Sequence, residues 1–335
     1  MTGQQSRQHG DQHGEPQDRA ASREHAHGHQ HDQHHKHDHK HSHSHNHGEG
    51  AHDVDWDELG PLLERGAELQ MPALEQAAAW LGELVGDGDA VARVLDVGSG
   101  PGVAACVLAG AFPRAEVVAV DQADGLLARV RARAAERGLA DRLVTRKADL
   151  PDAFTELPSA DLVWTSDVVH HFGDQQAALR DLAARLRPGG VLAVGERGLP
   201  LRFLPRDIGI GRPGLLPRLE VANEARFAAM RAELPGAVSL VEDWPAMLAA
   251  AGLVPTGSRT FLTDHPAPLG LAAREQLHNH LTRLRSLLDT ELDAQDRETL
   301  DRLVDDGAPT GILWRPDAFY LTATTVHTAR ACASD

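Results

Sequence analysis

The chain has 335 residues, is 41% hydrophobic and carries a formal net charge of −16. That length suffices for one large domain with a cap, no apolar run is long enough to span a membrane, and no charged-then-apolar leader opens the sequence. The acidic balance argues against a nucleic-acid substrate, which needs a basic face; the two cysteines, Cys106 and Cys332, lack metal or redox spacing, so a cytoplasmic protein is expected.

Residues 1–52 are Gln, His, Asp, Ser and Gly with almost nothing apolar, so this tail is expected to be disordered. Within it lie His25, His27, His29, His31, His34, His35, His37, His39, His41, His43, His45 and His47. Imidazole suits Zn or Ni, and the interspersed Asp residues add oxygen ligands. Composition alone leaves two readings open, weak polydentate metal binding and a solvated low-complexity segment.

From residue 53 the pattern becomes helical. Leu59, Leu62 and Leu63, then Met71, Leu74, Ala77, Ala78 and Leu81, recur at three and four, predicting helices within 53–88. Val94 to Gly102 (VLDVGSGPG) reads as a buried strand running into a tight turn, and AACVLAGAF continues as a helix. Glycines there let a ligand approach the backbone, and the helix N-terminus favours an anion, so a carboxylate or phosphate ligand is expected. A dinucleotide loop wants G-x-G-x-x-G; here Val103 holds the third position and Pro101 removes an N–H. An NAD-dependent oxidoreductase is disfavoured on that ground.

A second buried strand ends at Asp121, and Leu126, Leu127, Val130 and Ala134 predict a helix stopped by Gly138. A third strand begins at Leu143 and leads to Ala148-Asp149-Leu150. Asp161 to Thr165 is a fourth, running into Ser166-Asp167-Val168-Val169-His170-His171. Gln175 to Leu186 is an amphipathic helix, and Val191 to Gly195 a fifth strand ending at Glu196. Acids at successive strand ends lie where open α/β sheets bind ligands. Beyond Glu196, a helical stretch is expected near Val221 to Leu234 and another from Glu242 to Ala251. Strands are expected over Val254 to Thr263 and Phe319 to Thr328, with two helices between Leu271 and Val304. Arg202, Arg206, Arg212 and Arg218 are candidates for a carboxylate or phosphate clamp, against the commoner reading of solvated arginines. His278 and His280 are two apart and point to different sides of a helix, so they are no metal pair.

The stretch D-x-G-x-G-x-G with the acids that follow resembles the class I S-adenosylmethionine-dependent methyltransferases over roughly residues 90–200. The resemblance implies an α/β fold: a doubly wound, Rossmann-like, seven-stranded and mostly parallel sheet whose last strand pair is antiparallel. It implies helices 53–88 over the cofactor and cap insertions at 199–235 and 266–310 on the substrate side of a domain spanning 53–335. It places S-adenosyl-L-methionine against Asp96, Gly98, Ser99, Gly100, Gly102, Asp121, Gln122, Asp149, Leu150, Ser166 and Asp167. Asp121 would receive the ribose hydroxyls and Asp149 the adenine amino group. VVHHFGD is similar to plant-type O-methyltransferases, in which a histidine at the position of His170 deprotonates the acceptor and an acid matching Glu196 orients it. This chain departs at His171, where that group has Asp, and lacks its N-terminal dimerisation domain. His171 is expected to point elsewhere on the turn, and His170 also fits a pocket-lining or helix-capping role.

The implied activity is transfer of a methyl group to a small molecule, at oxygen, with nitrogen or carbon as alternatives. A reading from another class is a metal-buffering protein whose folded domain only senses the cofactor. Neither nucleic acid nor membrane is expected as a partner.

Overall fold

The computed structural model describes residues 56–86 and 90–333. The tail 1–52, with all its candidate metal ligands, lies outside the described residues. No helix among the described residues is long and apolar enough to cross a membrane.

The first helices are α1 (Trp56–Leu69) and α2 (Met71–Val85). The first half of the sheet is built from β1 (Arg93–Val97), α3 (Val103–Ala111), β2 (Glu116–Asp121), α4 (Asp124–Glu136) and β3 (Leu143–Lys147). The second half is built from β4 (Ala160–Ser166), α5 (Gln175–Ala183), β5 (Leu186–Arg202), β6 (Val254–His265) and β7 (Tyr320–Arg330). Helices α6 (Leu215–Glu233), α7 (Trp244–Ala250), α8 (Leu271–Leu287) and α9 (Ala294–Leu303) fill the connections. The seven strands lie in the order β3-β2-β1-β4-β5-β7-β6. β1 to β5 pair in parallel, and β7 runs antiparallel to both its neighbours.

Alternation along the strands sorts the core into two layers. Val94, Val117, Ala119, Leu162 and Trp164 face α2, α3 and α4. Leu95, Val97, Val118, Val120 and Val163 face the other way, against α5 and α7. The central strands are therefore apolar on both faces, as parallel sheets between helices are. Asp174, Asp243 and Asp293 cap α5, α7 and α9, each accepting from a backbone N–H three residues on.

A third apolar cluster lies at the start of β7 and the end of β5. It joins Phe203, Leu204, Leu215, Leu219, Leu277, Leu281, Leu300, Leu303 and Ile312. The segments expected as cap insertions thus share a core of their own. That core also corrects one boundary: α6 starts at Leu215, because Leu215, Leu216 and Leu219 are buried there.

Of the four arginines considered for a clamp, Arg206 is exposed and the other three pair with acids of the protein. Arg202 pairs with Glu220 at 2.6 Å, Arg212 with Asp296 at 2.7 Å, and Arg218 with both oxygens of Asp296 at 2.7 and 2.8 Å. The Arg218 hydrogen bond, then Arg212, holds the buried Asp296 carboxyl below the usual range. His278 and His280 do diverge: His278 Nε2 lies 2.9 Å from the Val304 carbonyl, while the His280 ring meets Phe203 edge-on.

β5 is longer than its apolar run. Its pairing with β4 stops at Ser166–Gly195, but pairing with β7 continues to Arg202–Leu321. Residues 196–202 therefore stand beyond the C-terminal edge of the parallel strands, held by an antiparallel neighbour, and wall one side of the crevice there.

Candidate active site

The strand order reverses between β1 and β4, so the crevice at their C-terminal ends is the place where such sheets take ligands. Two loops meet in it. Gly98 has φ +72°, and a Cβ there would lie 2.3 Å from the Val168 side chain, so only glycine lets the β1 loop pass the β4 loop.

The β1 loop does not offer the anion cradle expected from its glycines. Gly98 N–H and Ser99 N–H both donate to the Val120 carbonyl at 2.9 Å, and Gly102 N–H donates to Ser99. Gly100 N–H donates to Asp121 Oδ2 at 2.9 Å, and Pro101 has no N–H. The loop amides are engaged within the protein, which leaves none of these for a pyrophosphate. What the loop presents instead is acceptors. Asp96 is 2% exposed, and its Oδ2 has no partner; Ser99 Oγ is likewise buried and unpartnered. Burial, then the charge of Asp121, pushes the Asp96 carboxyl up to about 7, against a hydrogen bond from the Ala105 N–H at the start of α3. An unmatched acid of this kind suits a ligand carrying a positive charge. At Gly100, φ +52°, nothing lies within 4 Å of where a Cβ would stand, so the loop surface there is open to a ligand.

Asp121 ends β2 and is half-buried. Its Oδ1 accepts from the Ala123 N–H at 3.0 Å and its Oδ2 from Gly100. Each oxygen keeps a second lone pair, and both are fixed in direction. Gln122 follows it in the β2–α4 turn. Asp149 is exposed beyond β3, in a turn that begins with Ala148 N–H on the Asp121 carbonyl, so the ends of β2 and β3 are adjacent. Leu150 is half-buried beside it.

The opposite side of the crevice is the β4–α5 loop. Asp167 adopts φ +55°, a left-handed backbone that only Gly, Asn and Asp visit readily. Its N–H donates to the Gly195 carbonyl, and Ser166 precedes it at the end of β4. A single turn of 3₁₀ helix over Val169–His171 then turns His170 inward. His170 Nδ1 lies 3.0 Å from Glu196 Oε2; the residues are 9% and 7% exposed. Glu196 is the first residue of β5 past its pairing with β4. Burial raises its carboxyl above the usual range, and the His170 hydrogen bond opposes that rise. The second oxygen, Oε1, is buried without a partner. A carboxylate accepts, so Nδ1 carries the proton and Nε2 presents a lone pair.

His171, next on the turn, is exposed where His170 is buried, yet the two rings remain in contact. The ring centroids lie 4.4 Å apart with the planes tilted by 48°. Sequence reasoning also missed the residues that cover this corner. Phe227 of α6 meets His170 edge-on at 5.4 Å, Arg197 lies over Phe227, and Arg231 donates to the turn's carbonyls. Buried Tyr320 hydrogen-bonds Gln70; burial pushes its hydroxyl up to about 12, so it stays protonated.

The Methyltransferase domain family matches residues 95–192. A trans-aconitate 2-methyltransferase of Variovorax paradoxus is 30% identical over 200 residues, covering 53% of this chain and 73% of that protein. This chain belongs to the class I S-adenosylmethionine-dependent methyltransferases. A 27-O-demethylrifamycin SV methyltransferase of Amycolatopsis mediterranei is 29% identical over 210 residues, 62% of this chain and 68% of its own length. An uncharacterized protein of Synechococcus sp. is 38% identical over 103 residues, and the chain spans only 24% of it. The methyltransferase's β1 loop, with its unmatched Asp96 and its engaged amides, fits a cationic sulfonium cofactor better than a dinucleotide.

Proposed function

We propose that this enzyme methylates an oxygen of a small molecule and that His170 is the base. The observation that carries the reading is the buried His170–Glu196 pair at the crevice where β1 and β4 diverge. When bound, S-adenosyl-L-methionine supplies a methyl group on a positively charged sulfur. Asp96, Gly98, Ser99, Gly100 and Gly102 would hold it on one side, with Asp121, Gln122, Asp149 and Leu150 at the ends of β2 and β3, and Ser166 and Asp167 opposite.

Alignment is the main task of such a site, worth at best about 7–11 kcal/mol. A hydroxyl acceptor must also lose its proton. His170 Nε2 would take that proton as the oxygen gains the methyl group and the sulfonium, losing its S–CH₃ bond, leaves as a neutral thioether; Glu196 would hold the resulting imidazolium at Nδ1. Base catalysis of this kind contributes roughly 10²–10⁴-fold. Glu196 is a positioning residue, since it acts through the imidazole. The oxygen reading draws support from the relative named for a 27-O-demethylated substrate.

The segments 199–235 and 266–310, with their own apolar core, are the natural enclosure for the acceptor. Cys106 and Cys332 are both free thiols, in keeping with a reducing cytoplasm. The histidine run of residues 25–47 is proposed, on composition alone, to take up Zn or Ni.

The test is a methyl-transfer screen with isotopically labelled S-adenosyl-L-methionine. Trans-aconitate and 27-O-demethylrifamycin SV serve as probes beside simple phenols, and mass spectrometry locates the label. Label on a hydroxyl oxygen supports the reading, and label only on a carboxylate oxygen, which has no proton to lose, overturns the role of His170. Label only on nitrogen or carbon overturns it.

A further inference from the structure

Helix α6 lies along the site but is rooted elsewhere. Its buried residues, Leu215, Leu216 and Leu219, all fall in its first turns, within the cap core. From there on its inner face is a stripe at spacings of four, three and four: Glu220, Glu224, Phe227 and Arg231. Every residue of that stripe meets either the β5 extension or the His170 turn. Glu220 pairs with Arg202 at 2.6 Å and Glu224 with Arg197 at 3.1 Å. The Phe227 ring meets His170 edge-on at 5.4 Å. Arg231 Nη1 donates to the carbonyl of His170 and, at 2.9 Å, to that of Phe172.

The turn that Arg231 grips is anchored by the fully buried Val169 and by Phe172 against Phe154, but the carbonyls of His170 and Phe172 are received by Arg231. Its own backbone bonds are two short-range ones, His171 N–H to Val168 and Phe172 N–H to Val169. Its outward carbonyls have no helix turn to receive them, and a guanidinium with several donors in a rigid fork suits two carbonyls side by side. Tilting the turn swings the imidazole off Glu196. We infer that Arg231 is a positioning residue: by clamping the carbonyls of His170 and Phe172 it keeps His170 Nδ1 on Glu196, so that seating α6 over the site also sets the base. This rests on the reading of His170 and Glu196 as a working pair. It adds that the pair is completed from a cap helix rather than by the sheet alone.

The experiment is ¹⁵N NMR of the imidazole nitrogens in the full chain without added ligand. The His170 signals are identified among the chain's 21 histidines by their loss in His170→Ala. Wild type is expected to show the Nδ1–H tautomer, and Glu196→Gln to redistribute it. In Arg231→Ala the ratio of the Nδ1–H to the Nε2–H tautomer is expected to fall about 2- to 13-fold, the net worth of a hydrogen bond. Arg231→Lys, which still donates, should restore part of it. Arg231→Gln takes the place of Arg231→Ala if that variant melts below the measuring temperature. A tautomer insensitive to Glu196→Gln refutes the pairing itself. A tautomer that answers to Glu196→Gln but not to Arg231→Ala or Arg231→Gln overturns the role of Arg231 and leaves the pairing standing.

Discussion

Replacing Asp121 with alanine separates two jobs that one carboxylate performs. In the protein it holds the Gly100 N–H at 2.9 Å and the Ala123 N–H at 3.0 Å, tying the β1 loop to the start of α4. Loss of those acceptors strands two partly buried donors, which costs about 1–3 kcal/mol of stability. The lone pairs that remain point outward from fixed oxygens, where the cofactor's ribose hydroxyls are expected. Their loss weakens S-adenosyl-L-methionine binding by about 1–3 kcal/mol, or roughly 5- to 150-fold. Asp121→Asn keeps one acceptor and the shape, so its affinity should fall between those of wild type and Asp121→Ala. Calorimetry with S-adenosyl-L-methionine and with NAD, beside thermal melts, reads both effects. NAD should give no binding heat. A folded Asp121→Ala protein that binds S-adenosyl-L-methionine like wild type would refute the ribose assignment.

Asp96→Asn tests the unmatched acid. The folded carboxyl is raised from 3.8 to about 7, so its contribution to stability is full below about pH 4 and is lost as pH rises through 7. The melting temperature of Asp96→Asn relative to wild type should therefore climb between about pH 4 and pH 7 and level off above, and a flat difference would contradict the shift. Arg133, 7% exposed, bridges Glu64 and Glu68 of α1 at 2.5 Å each. Arg133→Ala should cost about 1–3 kcal/mol in urea unfolding, less than a fully buried pair because Glu68 is 43% exposed; no loss would mean that α1 is held by other contacts. Deleting residues 1–52 should leave methyl transfer intact and abolish Zn or Ni uptake, which in the full chain weakens as pH falls through about 6.5. One tight stoichiometric metal site, kept at about pH 5, would contradict weak polydentate binding.

The sheet was legible because its strands are short apolar runs ended by acids or glycines. Val94 to Val97, Val117 to Val120 and Leu162 to Thr165 are buried on both faces and need no tertiary knowledge to be seen. The continuation of β5 past Glu196 was not, since residues 196–202 owe their extended form to β7 rather than to an apolar pattern. The glycine loop showed its place but not its polarity. Only the structure reveals that the Val120 carbonyl and Asp121 already take its glycine amides and that the buried acid Asp96 stands with one oxygen unpartnered. The His170–Glu196 pair came from family resemblance, and the geometry supplies its contact. The Glu220, Glu224, Phe227, Arg231 stripe escaped notice because it is mostly charged; a search for apolar periodicity passes over a helix face that docks by ion pairs and one ring. The contact between the His170 and His171 rings was not legible, because it depends on the 3₁₀ turn over Val169–His171.

The central claim is that His170 Nε2 removes the acceptor's proton while Glu196 holds Nδ1. The most direct measurement is maximal turnover of a hydroxyl acceptor by wild type and His170→Ala across pH, with S-adenosyl-L-methionine affinity measured on the same samples. The account predicts a fall of roughly 10²–10⁴-fold in His170→Ala at neutral pH, narrowing as the pH approaches that at which the acceptor ionises unaided, with cofactor affinity nearly unchanged. Wild-type turnover in His170→Ala, at a pH where the acceptor is protonated in solution, would contradict it and leave alignment alone as the mechanism.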